Sequence, residues 1–146
     1  MGTTYDATQN ELREHSSIEV CTIGFREFTP SFDCVREVRH FVKENLERVG
    51  LDRECVFECQ LVADELAANA VLHARSIFSV AIELTQELVR IAVRDESNSP
   101  PVAQDSATRG ESGRGLVIVS GTASGWGSVS LGRGKEIWAD VSRTKG

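Results

Sequence analysis

No stretch of the 146-residue chain approaches the ~18 consecutive apolar residues that a helical membrane span needs, so a membrane protein of that kind is excluded. The N-terminus, MGTTYDATQNELREH, lacks the basic-then-apolar order of a signal peptide, and a cytoplasmic location is therefore expected. Basic charge is also short. Sixteen Lys and Arg face 22 Asp and Glu, giving a net charge of −6. No local basic stripe offsets it, so direct nucleic-acid binding is not expected. The cysteines Cys21, Cys34, Cys55 and Cys59 show neither C-x-x-C spacing nor the density of a disulfide scaffold. Cys55 and Cys59 would share a helical face, but with no His or second Cys pair at ligand spacing they read as reduced thiols in or near a core. There is no internal repeat, and no G-x-x-x-x-G-K-S/T phosphate loop occurs.

What is present is the balance of one globular domain, 40% hydrophobic and 26% charged. Residues 1–16 are polar and aperiodic and read as a flexible tail, leaving residues 17–146 as the domain. Ile18 to Phe25 has strand composition. From Ser31, the residues Phe32, Val35, Val38, Phe41, Val42, Leu46 and Val49 recur at helical spacing, and Gly50 stops the run. Asp52 can cap a second helix, apolar around much of its circumference, that runs to about Ala74. Ile77–Leu84 and Leu88–Asp95 alternate in polarity around a short TQE link, as an antiparallel hairpin does. Glu96–Arg114 loses all periodicity and reads as a long loop. A short helix from Gly115 and a closing pair of strands, Gly125–Leu131 and Glu136–Val141, follow. This order predicts an α/β (α+β) two-layer sandwich: a mainly antiparallel sheet with helices on one face.

Three local features carry candidate chemistry. Glu65, Asn69 and His73 are spaced by four and form one polar stripe across an alanine-rich helix. Such a stripe is either a solvated or internally hydrogen-bonded helix face or the wall of a ligand cavity, because dry unpaired polar groups are costly. Asp95 ends a predicted strand, where an Asp is a turn residue or an acceptor for a ligand amine. Gly110-Glu111-Ser112-Gly113-Arg114-Gly115-Leu116 places glycines before an apolar helix, which allows a flexible turn or a close approach of backbone N–H groups to phosphate. Trp126 and Trp138 read as sheet or core aromatics, and His40 as an ordinary helical histidine.

In their order along the chain these features resemble the motifs of the histidine-kinase-like (GHKL) ATPase superfamily, which includes gyrase, histidine kinases and MutL. Glu65-Leu66-Ala67-Ala68-Asn69-Ala70-Val71-Leu72-His73 resembles its first motif. Val93-Arg94-Asp95 looks like the start of its first glycine box, and Glu111-Ser112-Gly113-Arg114-Gly115-Leu116 like the second. The EL..NA..HA and SGRGL forms are most similar to bacterial anti-sigma-factor serine kinases, and the resemblance spans about residues 17–142. It implies a Bergerat-type fold binding ATP and Mg²⁺. Asn69 would ligate Mg²⁺, Asp95 would accept from the adenine amino group, and Ser112, Gly113, Arg114, Gly115 and Leu116 would lie against the phosphates under a lid of residues 96–112. Glu65 would be the general base acting on a partner's serine, and His73 would be structural. The implied partners are a sigma factor and a STAS-type anti-sigma factor antagonist, with homodimerisation possible as in the family. A nucleotide-gated regulatory binding module without kinase activity is the alternative. Two departures accompany the resemblance. The first box carries glycines after its Asp, whereas this chain reads Asp95-Glu96-Ser97-Asn98-Ser99-Pro100-Pro101, and Gly134-Lys135-Glu136-Ile137-Trp138 lacks the family's threonine, for which a water or Ser97 would substitute.

Overall fold

Alternating and β-branched segments from both ends of the chain are collected into one sheet, and the helical segments lie against one of its faces. The computed structural model describes residues 19–31, 33–73, 76–97, 119 and 121–143. The elements are β1 (Cys21–Phe28), α1 (Cys34–Arg48), α2 (Arg53–His73), β2 (Phe78–Leu84), β3 (Leu88–Asp95), β4 (Gly125–Ser130) and β5 (Lys135–Ser142). The strands form a five-stranded sheet of order β1-β2-β3-β5-β4, and every pairing is antiparallel. The expected two-layer α+β sandwich is thus the observed one.

Local chemistry sets most boundaries. Helix α1 ends because Gly50 adopts φ +82°, which lets its N–H reach the Glu47 carbonyl while the Leu51 N–H reaches that of Leu46. This paired closure satisfies two carbonyls that the helix would otherwise leave open. Helix α2 starts where the Asp52 carboxylate accepts from the Cys55 N–H at 2.8 Å. The β2–β3 link is held by Thr85, whose hydroxyl accepts from the backbone N–H groups of Glu87 and Leu88.

Several boundaries differ from expectation: α1 starts at Cys34 rather than Ser31, β2 at Phe78 rather than Ile77, β4 ends at Ser130, β5 spans Lys135–Ser142, and the first strand is shifted at both ends. The first strand is Cys21–Phe28 rather than Ile18–Phe25, and Glu19 and Val20 stand outside it. Phe28 decides this, because it pairs with Phe78 across β1 and β2 and is almost fully buried. Its ring lies 5.7 Å from Phe78 and 5.8 Å from Phe41, so aromatic burial extends the strand by three residues.

The core lies between helices and sheet. Val38, Val42 and Leu46 of α1 and Val62, Leu66 and Ala70 of α2 pack with Val80, Ile82, Val89, Ile91, Val93, Ile137, Ala139 and Val141. Cys34, Cys55 and Cys59 are buried in the same cluster as thiols, outside any disulfide. Arg39 of α1 ties to Asp64 of α2 through contacts of 3.0–3.2 Å, and burial raises the Asp64 carboxyl against the opposing pull of that guanidinium. Among the described residues, no helix is long and apolar enough to cross a membrane.

The opposite sheet face carries paired charges. Arg90 binds Asp140 in a two-pronged contact of 2.7 and 3.0 Å, and its guanidinium stacks 4.1 Å from the Trp138 ring centroid. Trp138 in turn lies over Gly127, where a Cβ would come within 3.0 Å of the indole. Trp126 packs against the helix-side core. Beside them Glu136, 2% exposed, accepts from Arg94 through Oε1, while its Oε2 has no hydrogen-bond partner. Burial pushes the Glu136 carboxyl up, and Arg94 offsets this only in part. A carboxyl raised in the folded chain favours folding at low pH, and that contribution is lost as pH climbs through the raised value. The Glu136→Gln protein is therefore expected to gain on the wild type in thermal unfolding midpoint as pH rises from about 4 to 7. A difference that is flat with pH, or that grows in the wild type's favour, would refute this.

Candidate functional site

The polar stripe of α2 is built as its spacing requires. Leu66, Ala67 and Ala70 are buried and bring the helix close against β3 and β5. Asn69 sits among them and is 2% exposed. Its Oδ1 is buried and makes no hydrogen bond. Such an orphaned acceptor costs roughly 1–3 kcal/mol and is open to a donor, water included, or to a cation. Glu65, one turn earlier, is half-buried.

Asp95 lies at the same end of the molecule. The chain passes from the end of α2 at His73 to the start of β2 at Phe78 in a few residues, which keeps the Asn69 end of the helix near that edge of the sheet. The β2–β3 register pairs Ser79 with Arg94, so Phe78 and Asp95 lie at the same level. Asp95 also continues the helix-facing column of Val89, Ile91 and Val93, and the register pairs it directly with Lys135. Helix and sheet thus bring Asn69 and Asp95 to one edge of the sandwich, on the inner side.

Asp95 and Lys135 are each 4% exposed. The Lys135 ammonium stands 3.3 Å from both carboxylate oxygens, and Oδ1 also accepts from the Ser97 N–H at 2.8 Å. Lys135 is the residue that motif reading passes over, since there the 134–138 segment registers only as lacking a threonine. The strand register alone reveals that its ammonium faces Asp95. Ser97 does engage the aspartate, through its backbone. Gly134 fits φ +90° against the Asp95 backbone, and any Cβ there would overlap the Asp95 carbonyl oxygen.

The remaining candidates, Ser112, Gly113, Arg114, Gly115 and Leu116, lie outside the described residues, as does most of the segment read as a lid. Among the described residues no cluster of three His, Cys, Asp or Glu side chains forms a metal site. Nothing in that conflicts with a cation held by one amide oxygen, since Mg²⁺ keeps several waters and takes other ligands from substrate phosphates.

Comparison with solved structures places the fold. The chain is similar to the RsbU and RsbW domains of Rv1364c from Mycobacterium tuberculosis, with 20% identity and a TM-score of 0.61 over 83% of this chain. It spans only 33% of that longer chain. It is also similar to a chain of the SiaB-SiaC complex from Pseudomonas aeruginosa, at 13% identity and a TM-score of 0.55, covering 95% of this chain and 98% of that one. No curated protein matches the sequence. Residues 28–139 match the histidine kinase-like ATPase domain, a span that contains both helices, β2, β3 and β4, together with Asn69, Asp95 and Lys135. By fold, by motif order and by that match over most of its length, the chain belongs to the histidine kinase-like ATPase domain family.

Proposed function

We propose that this chain is an ATP-binding anti-sigma factor that sequesters a sigma factor and phosphorylates a serine of a STAS-type anti-sigma factor antagonist. The observation that carries the reading is the orphaned Oδ1 of Asn69, buried at the same edge of the sandwich as the Asp95 carboxylate. A hard oxygen donor with no internal partner suits Mg²⁺, and a buried carboxylate suits an exocyclic amine. When bound, Mg²⁺ and ATP supply the transferable phosphoryl group and part of its charge neutralisation.

The chain's own residues do the rest. Asn69 fixes the metal's position and Asp95 the purine's, so the triphosphate is oriented from both ends. Ser112 through Leu116 provide backbone N–H groups for the phosphates, as the family motif implies. Glu65, one turn before Asn69, takes the proton of the incoming serine hydroxyl as general base. Its half-buried position on the helix is consistent with reach toward a docked partner. The excess of acidic residues in this chain leaves partner capture to side-chain chemistry rather than to nucleic acid.

Incubation of the protein with Mg²⁺, radiolabelled ATP and its antagonist tests the reading. Glu65→Ala is expected to lower transfer by about 10²–10⁴-fold while leaving ATP affinity unchanged. Undiminished transfer in that variant would remove Glu65 from the mechanism. A wild type that binds ATP and captures its partner but leaves the partner unmodified would be a nucleotide-gated binding module instead.

A further inference from the structure

The buried ion pair at the purine end is loosely closed. Both of its contacts are 3.3 Å, whereas charge-assisted N–H···O bonds ordinarily close to about 2.7–2.9 Å. The Arg90–Asp140 pair on the other face does close to 2.7 Å, so the fold is able to form a tight pair where only stability is at stake. The Lys135 ammonium carries three protons, and among the described residues its hydrogen-bonding partner is the Asp95 carboxylate alone. An ammonium so little exposed retains donor capacity directed into its surroundings. Asp95 and Lys135 therefore present an acceptor and a donor side by side, from directly paired positions on adjacent strands.

The Watson–Crick edge of adenine has the complementary order, an exocyclic amine that donates next to a ring nitrogen, N1, that accepts. Resting on the nucleotide-site reading above, we infer that Lys135 is a second purine-reading residue, donating to N1 of adenine while Asp95 accepts from the amine. Guanine in the same pose sets its O6 against the carboxylate and its N1–H against the ammonium. The pair thus favours adenine by attraction and opposes guanine by two like-with-like contacts. The charged donor also takes over, from the sheet itself, the contact for which a threonine or a water is otherwise needed.

Calorimetric titration of the wild type with ATP, 1-deaza-ATP (C–H in place of N1) and GTP, each with Mg²⁺, tests this, together with the same titrations of Lys135→Met. The wild type is expected to bind 1-deaza-ATP roughly ten- to a hundredfold more weakly than ATP, the loss of one hydrogen bond to a charged group, and to bind GTP more weakly still. Lys135→Met is expected to bind ATP and 1-deaza-ATP with equal affinity. Equal affinity of the wild type for those two ligands would overturn the assignment of Lys135 while leaving the nucleotide site intact. Persistence of the difference in Lys135→Met would overturn it as well. A folded wild type that binds none of the three would overturn the site reading and this inference together. If Lys135→Met does not fold, the wild-type comparison decides alone.

Discussion

The Asn69→Ala protein should unfold at a temperature no lower than the wild type and yet bind Mg²⁺–ATP at least about a hundredfold more weakly. The two halves of that expectation have separate causes. In the free protein the Asn69 Oδ1 is a buried acceptor with nothing to accept from, so its removal relieves a desolvation cost of roughly 1–3 kcal/mol. Alanine is also the better helix former, by a few tenths of a kcal/mol. Against these stands the small cavity left by a shortened side chain, which is of similar size and opposite sign. On the proposed function, the same oxygen would be the ligand that α2 offers to Mg²⁺. Thermal unfolding without ligand and titration with ATP, with and without Mg²⁺, separate the halves. A variant that is clearly destabilised but binds normally would show that Asn69 serves packing and would return the polar stripe to an ordinary helix face.

Arg90→Ala is expected to have the opposite profile, losing about 3–5 kcal/mol of stability with little change in nucleotide affinity. Asp140 is buried, and both of its carboxylate oxygens accept from Arg90. Deleting the guanidinium strands that carboxylate and also removes the cation stacked on Trp138. The pair projects from the sheet face opposite the helices, toward the other end of β3 from Asp95 and on the other side of the pleat. Chemical denaturation of Arg90→Ala and of the double variant Arg90→Met/Asp140→Leu would measure this. The double variant should recover much of the loss, because replacing both charges leaves no stranded ion. Equal stability of the single variant and the wild type would show the pair to be inert.

The elements that could be read from the sequence are those set by neighbours in the chain. Gly50 after an amphipathic run, Asp52 before the next helix and the TQE link between alternating segments each fix a boundary through contacts within a few residues. The first strand is different, because Ile18–Phe25 and Cys21–Phe28 have similar β character. The choice falls to Phe28 stacking on Phe78, 50 positions later. The candidate site divides along the same line. Glu65 and Asn69 show themselves by helical spacing, and Asp95 by its place at a strand end. Lys135 sits in a segment that registers only as lacking a threonine until the β3–β5 register turns it inward, and such a register is a property of two strands together. That also hides the Arg90–Asp140 pair, whose members make sense only once β3 and β5 are known to be neighbours.

The bare backbone at position 134 has a mechanical effect on the ligand end of the sheet. Because nothing separates it from the peptide of Asp95, the tip of the β4–β5 hairpin and the end of β3 behave as one stiff splint. If Asp95 reads the base as proposed, a carboxylate mounted on such a support would lose little freedom on docking, and recognition would draw its strength from groups already in place before the ligand arrives.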